Sequence, residues 1–192
     1  TMLRTMAELK LQSDWQRHSL TGSLRGSYDA FPGMTDVNRP AGEGRVNLRL
    51  DVLRGTQIES EGRYIVTTQQ PGNPNLPNGV VNQPITASFG GTLGLVHAFN
   101  RLSVGVYGDI DRSTYGNAKL ADGTSVSQDD RNYTQYAVRL RTGYELSAYL
   151  TPFIEGRLDK RRYDEHFDSS GYARNSNGVG MRVGTAFNLP GS

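Results

Sequence analysis

GRVNLRLDVLR, residues 44–54, alternates with a period of two: Val46, Leu48, Leu50 and Val52 fall on one face, Arg45, Asn47, Arg49 and Asp51 on the other. A strand sends residues i and i+2 to the same side, so this segment reads as a strand with one apolar and one charged face. RLSVGVYGDID (101–111) repeats the pattern, with Leu102, Val104, Val106 and Ile110 against Ser103, Tyr107, Asp109 and Asp111. QYAVRLRTGYE (135–145) repeats it again, with Tyr136, Val138, Leu140 and Tyr144 against Gln135, Arg139, Arg141 and Glu145.

Carried along the whole chain, the same test predicts nine strands, near 2–12, 17–28, 44–54, 57–68, 84–96, 101–112, 132–145, 151–162 and 174–188. At about 10 to 14 residues each they exceed the usual globular strand and suffice for a tilted membrane strand. The connections alternate. Tight turns fall near Ser13–Trp15, Gly55–Thr56, His97–Asn100 and Ser147–Leu150, and long loops at 29–43, 69–83, 113–131 and 163–173. The long ones carry loop-forming compositions, as in PGNPNLPNG and AKLADGTSVSQDD. Short turns at one rim and long polar loops at the other is the layout of an outer-membrane barrel. The fold class expected is all-β: an antiparallel up-and-down transmembrane β-barrel, or its C-terminal part, forming a single domain over 1–192.

Composition agrees. No stretch approaches the ~20 continuous apolar residues of a membrane helix, a test that barrels escape because only alternate residues face lipid. The chain has 23 glycines, ten tyrosines and no cysteine, which excludes disulfides and thiolate chemistry. Its net charge of +2 is too small for a nucleic-acid surface. Thr1–Gln12 lacks the apolar core of a signal peptide. Aromatic residues gather toward strand ends, with Trp15, Phe99, Tyr144, Tyr149 and Phe187 at the short-turn rim and Tyr28 and Tyr64 toward the other. Two such girdles mark two membrane interfaces.

Either face could in principle be the inner one. The apolar face carries Gly22, Gly26, Gly62, Gly91, Gly108 and Gly156, which would fill a soluble core poorly but leave no cavity against lipid. The charged face would then line a wet lumen. Its candidate site residues are Glu59, Glu61, Arg139, Arg141, Glu145, Glu155, Arg157, Asp159, Arg161 and Arg182, joined on that face by Arg25, Arg45, Arg49, Asp51, Arg63, Asp109 and Asp111. The arginines of the last three strands either attract anions or pair with Glu145, Glu155 and Asp159 to hold the lumen together; Glu59 and Glu61 would give the opposite wall an acidic character. The first and last strands both run from the long-loop rim to the short-turn rim. The C-terminus is therefore expected in the periplasm and Thr1 on the outer side. Bacterial barrels hold an even number of strands, so at least one strand upstream, or further subunits, is expected.

RRYDEHFDSSGYARNSNGVGMRVGTAFNL (161–189) resembles the closing hairpin of a porin-like outer-membrane β-barrel family of Alphaproteobacteria. Members end in a Tyr-Asp pair, a Gly-aromatic-x-Arg-x-Ser loop and a Gly-rich strand. Tyr163, Asp164, Gly171, Tyr172, Arg174, Ser176, Gly178 and Gly184 match. LTPFIEGRLDKRRYD (150–164) and GGTLGLVHAFNRLSVGVYG (90–108) are similar to the preceding strand and turn. The resemblance is close over roughly the last hundred residues, and the NLPGS tail departs from it by lacking a terminal aromatic. It implies a porin, or an outer-membrane part of a polysaccharide-export system.

His18, His97 and His166 share no metal-ligand spacing, and no metal or cofactor is expected. Asp164, Glu165, His166 and Asp168 form the one cluster suggestive of catalysis, and the reading preferred for it is acidic residues in a solvated loop. GTSVS lacks the strand-to-helix context of a phosphate loop. The function expected is a polar-lined pore for hydrophilic solutes in the outer membrane, without catalysis, whose immediate partner is outer-membrane lipid. An export component for exopolysaccharide or capsule, and a structural barrel that binds partners through its outer loops, remain open alternatives.

Overall fold

Nine long strands form: β1 (Leu3–Gln12), β2 (Ser19–Ala30), β3 (Arg39–Leu53), β4 (Thr56–Thr68), β5 (Ile85–Phe99), β6 (Leu102–Tyr115), β9 (Tyr133–Tyr144), β10 (Leu150–Tyr163) and β11 (Ser176–Phe187). Between β6 and β9 lies a two-residue pair, β7 (Ala118–Lys119) with β8 (Ser125–Val126). The structure is a computed structural model and describes residues 2–33, 38–69, 76, 79–82, 84–168 and 170–187. Thr1, the NLPGS tail and most of the 69–83 loop lie outside the described residues.

The long strands make one sheet in the order β1-β2-β3-β4-β5-β6-β9-β10-β11, each pair antiparallel. The sheet is not closed: β1 pairs only with β2 and β11 only with β10. The predicted alternation of short and long connections holds, and both β1 and β11 run from the long-loop rim to the short-turn rim.

Burial is inverted relative to a soluble protein. Among the described residues the buried hydrophobics are Ala118 and Ala137 alone, both small, whereas Asp29, Gln69, Ser113, Gln128, Asn132 and Glu155 are buried. Leu24, Val46, Leu93, Val106, Val138, Leu158 and Val179 stand exposed along the outer face. A Cβ added at Gly26, Gly62, Gly108 or Gly156 on that face would meet open space. Apolar surface of this extent, if it faced water, would cost about 25 cal/mol for every Å². The aromatics also align: Phe99 and Tyr144 flank Leu102 in one row at the short-turn rim, and Tyr64 pairs with Phe89 toward the other.

Strict alternation breaks at one point in the opening segment. The register shifts between Asp51 and Leu53, so a β-bulge replaces the continued pattern through Val52. A bulge leaves a backbone donor outside the ladder. Here the Asp51 N–H donates to His18 Nδ1 at 3.1 Å. At the same rim His97 Nδ1 and Thr56 Oγ1 lie 2.7 Å apart, so both histidines are tied into turn structure. Two of the turns close within two residues. Leu53 pairs with Thr56 around Arg54–Gly55, and Phe99 pairs with Leu102 around Asn100–Arg101. Left-handed backbone at Gly55 (φ 74°) and Asn100 (φ 56°) closes them.

Two long loops hold order of their own. Lys119 N–H donates to Asn82 Oδ1 at 2.6 Å and Val81 N–H to the Lys119 carbonyl at 2.9 Å, so the loop before β5 is stitched to the β7–β8 hairpin. In the loop before β11, Asp168 accepts the N–H groups of Tyr172 and Ser170, each at 2.9 Å, and Arg174 Nε at 2.7 Å. These bonds, that from the Tyr172 amide foremost, hold its carboxyl below the usual range. A carboxylate whose pKa is lowered by folding stabilises above its ordinary value of about 4, and that contribution is lost as pH falls through the lowered value. Hydrogen exchange at Tyr172, corrected for intrinsic rate, is expected to stay flat from pH 7 to about 5 and to rise below about 4. A flat profile down to pH 2 would show that Asp168 does not hold the loop.

Candidate functional site

The charged faces of β3 to β11 line one concavity of about 710 Å³. Of the ten candidate residues, Glu59 and Glu61 reach it from β4, Arg139 and Arg141 from β9, Glu155 and Arg157 from β10, and Arg182 from β11. Asp159 and Arg161 share the β10 face but lie nearer the long loops, where Arg161 donates to Gln135 Oε1 at 2.9 Å and covers the Tyr133 ring. Glu145 is set apart. It falls just past β9, exposed, with its N–H donated to the Arg101 carbonyl.

Pairing within the concavity is uneven. Arg139 grips Asp109 through Nε and Nη2 at 2.8 and 2.9 Å and lies 3.9 Å from Glu155 Oε2. Arg182 Nη2 donates to the other Glu155 oxygen at 2.6 Å, and Thr92 donates to Asp109 at 2.7 Å. On the β4 side Arg63 donates to Glu61 and Asp111, each at 2.7 Å, crossing over β5 to reach the latter. Arg141 differs. Its guanidinium stacks 3.7 Å above the Phe153 ring and forms no ion pair among the described residues. Arg157 stands beside Arg139 in register and has only Asp159, at 3.4 Å.

The lining holds six arginines against five carboxylates, sorted by strand apart from Arg63 on β4 and Glu155 on β10. Glu59, Glu61, Asp109 and Asp111 belong to β4 and β6; Arg139, Arg141, Arg157 and Arg182 belong to β9, β10 and β11. Because β4 and β6 flank β5, the acidic residues form one continuous sector that adjoins the basic one. A wall of this kind, charged within and apolar without, bears on a family comparison. The family model described as "Putative beta-barrel porin 2" matches residues 1–192. The chain belongs to that family. None of the curated proteins matches the chain.

Membership of the beta-barrel porin 2 family extends over the first eighty residues as well, where the sequence motifs gave only a general likeness. A porin family accords with outer-membrane location and with a role other than catalysis. His18 and His97 are tied to turns, and His166 packs on Phe167. Among the described residues no group of histidine, aspartate and glutamate is placed to hold a metal.

The porin-family fold also contains a device that alternation alone does not show. Tyr107 lies flat on the inner wall across Gly94 and Gly105, and its hydroxyl donates to Glu59 Oε2 at 3.1 Å, again over β5. A Cβ at Gly94 would sit 2.3 Å from the ring, and one at Gly105 2.8 Å. The same arrangement recurs where Phe153 covers Gly184. Glycines on the polar face at 94, 105 and 184 were the available signal, since they leave room for aromatic rings that cover the backbone. Gly94→Val is expected to lift the Tyr107 ring and cost about 1–3 kcal/mol of stability, as overpacking does. Gly108→Ala, one strand over and facing outward, should be nearly neutral. Equal urea midpoints for the two variants in detergent would refute the ring contact.

Proposed function

We propose that the chain builds the wall of a polar pore in the bacterial outer membrane, passing hydrophilic solutes without chemistry. The observation that carries this reading is the pairing of a charged concave face with an exposed apolar outer face on the same nine strands. Water and fixed charges line the path, and the long loops with their β7–β8 hairpin stand at its outer mouth. The short turns and the end of β11 face the periplasm. Closing such a wall with antiparallel pairs throughout takes an odd number of strands beyond these nine, because β1 and β11 run in the same direction.

The basic sector gives the pore a preference for anionic solutes. Arg141 has no carboxylate partner and Arg157 has one shared contact, so both hold charge in reserve for a passing anion. In planar bilayers with a salt gradient, the purified protein is expected to conduct, with a reversal potential displaced toward chloride. Arg141→Glu should move that potential toward the cation. Negligible conductance would overturn the pore, and loop-dependent binding alongside it would favour a structural barrel. Conductance with no shift in the variant would remove the anion preference alone.

A further inference from the structure

The outer face of the nine strands carries three charged residues among the described positions, all cationic and all in one sector: Arg112 on β6, and Lys160 and Arg162 on β10. Strand β9 separates them. Arg112 and Arg162 both pair in register with Thr134, and Lys160 pairs with Tyr136, one row closer to the short-turn rim. Neighbouring strands lie about 4.8 Å apart and i to i+2 spans about 7 Å, so the three side chains start within about 12 Å of one another.

Their height on the wall is informative. The Arg112 row continues through Phe89 to Tyr64, the aromatic row of the long-loop rim. Charges there sit at headgroup level, where a cation on a barrel costs little. Cations that merely reached for water would have no reason to gather in one sector and leave the rest of that row uncharged.

The cluster is also partly fixed. Arg112 donates through both terminal nitrogens to Asp164 and to Thr134 Oγ1 at 3.2 Å. Asp164, just past β10, stays ionised, its carboxyl held below the usual range by that guanidinium. Lys160 and Arg162 are exposed and form no ion pair among the described residues. The result is one anchored cation, two free ones, and an exposed tyrosine ring beneath them.

We propose that Lys160 and Arg162, with Arg112 beside them, bind the phosphate of an anionic lipid headgroup in the leaflet on the long-loop side. The assignment rests on the membrane-barrel reading above. Two cations with spare donors match the charge and the oxygen acceptors of a phosphate ester, and the Tyr136 ring and Leu158 supply the apolar contact for the adjoining acyl chains.

The test compares wild type with Lys160→Gln/Arg162→Gln, leaving Arg112 and its Asp164 pair intact. Both are reconstituted into phosphatidylcholine nanodiscs with or without a phosphorylated glycolipid, and lipid retention is read by native mass spectrometry. Wild type is expected to retain the glycolipid and the double variant to bind it about 30-fold more weakly, the factor that two cations at an anionic surface carry. Lys119→Gln in the loop serves as control and should retain it. Inorganic phosphate at millimolar concentration should not displace the lipid; displacement would show a site for free phosphate and overturn the lipid assignment. Equal retention by wild type and double variant would also overturn the proposal. Failure of all proteins to enter the nanodiscs or to show heat-modifiable migration would instead sink the membrane reading on which it rests.

Discussion

Replacing Arg139 by Met is expected to destabilise the protein by about 3 kcal/mol, the largest effect of any single change in the charged wall. Its guanidinium is the bidentate partner of Asp109, whose side chain is 7% exposed, and lies 3.9 Å from the Glu155 oxygen that accepts no hydrogen bond. Removing one partner of a buried pair leaves the other charge uncompensated, which costs about 3–5 kcal/mol. The Arg139 side chain is itself 20% exposed, so water relieves part of the penalty and the lower end applies. Arg139→Met combined with Asp109→Leu should recover a large part of the loss, because the stranded carboxylate goes too. Urea unfolding in lipid vesicles, followed through the single tryptophan Trp15, reads both values. A loss below about 1 kcal/mol for the single change would mean that the wall is wet enough to make these pairs dispensable.

Val138→Arg is expected to cost about 2–4 kcal/mol in a bilayer, the range for a cation at the midplane of a barrel's lipid face. Val138 lies midway along β9 and is 56% exposed, in a row with Gly108 and Leu158. In a water-soluble sheet an exposed valine changed to arginine would alter stability by no more than about 0.5 kcal/mol. The same substitution is therefore costly if the outer face meets lipid and nearly neutral if it meets water. Folding yield in vesicles, scored by heat-modifiable migration, separates the two, and a fully folded Val138→Arg variant would show that the apolar face does not meet lipid.

Strand number, face assignment within strands and the alternation of turn lengths were legible because each follows from a period of two. GRVNLRLDVLR shows the reach and the limit of that rule. Val46, Leu48 and Leu50 fall where alternation puts them, but the bulge after Asp51 hands the outer position to Leu53, 70% exposed. Nothing in the local sequence marks the shift, since the ring that satisfies the displaced N–H belongs to His18, on the approach to β2. The β7–β8 pair escaped for a different reason: two-residue strands carry no period. Seven of the ten candidate charges line the concavity, and the acidic wall turned out to adjoin the basic one. Seeing that required knowing that β5 is small enough on its inner face, at Ser88, Gly90, Thr92 and Gly94, for β4 and β6 to join hands across it.

The meander also dictates how the chain can assemble. Each long strand pairs with the long strand before and after it in sequence, and the widest steps are those from β4 to β5 and from β6 to β9. Pairing partners are consequently neighbours in strand order, which keeps their separation in sequence smaller than crossover connections would. Growth can proceed by adding one hairpin at a time to a single advancing edge, with no need to search for distant partners. Across 116–132 the β7–β8 clasp from 118 to 126 shortens the free part of the connection, which lowers the entropy lost on closing that loop.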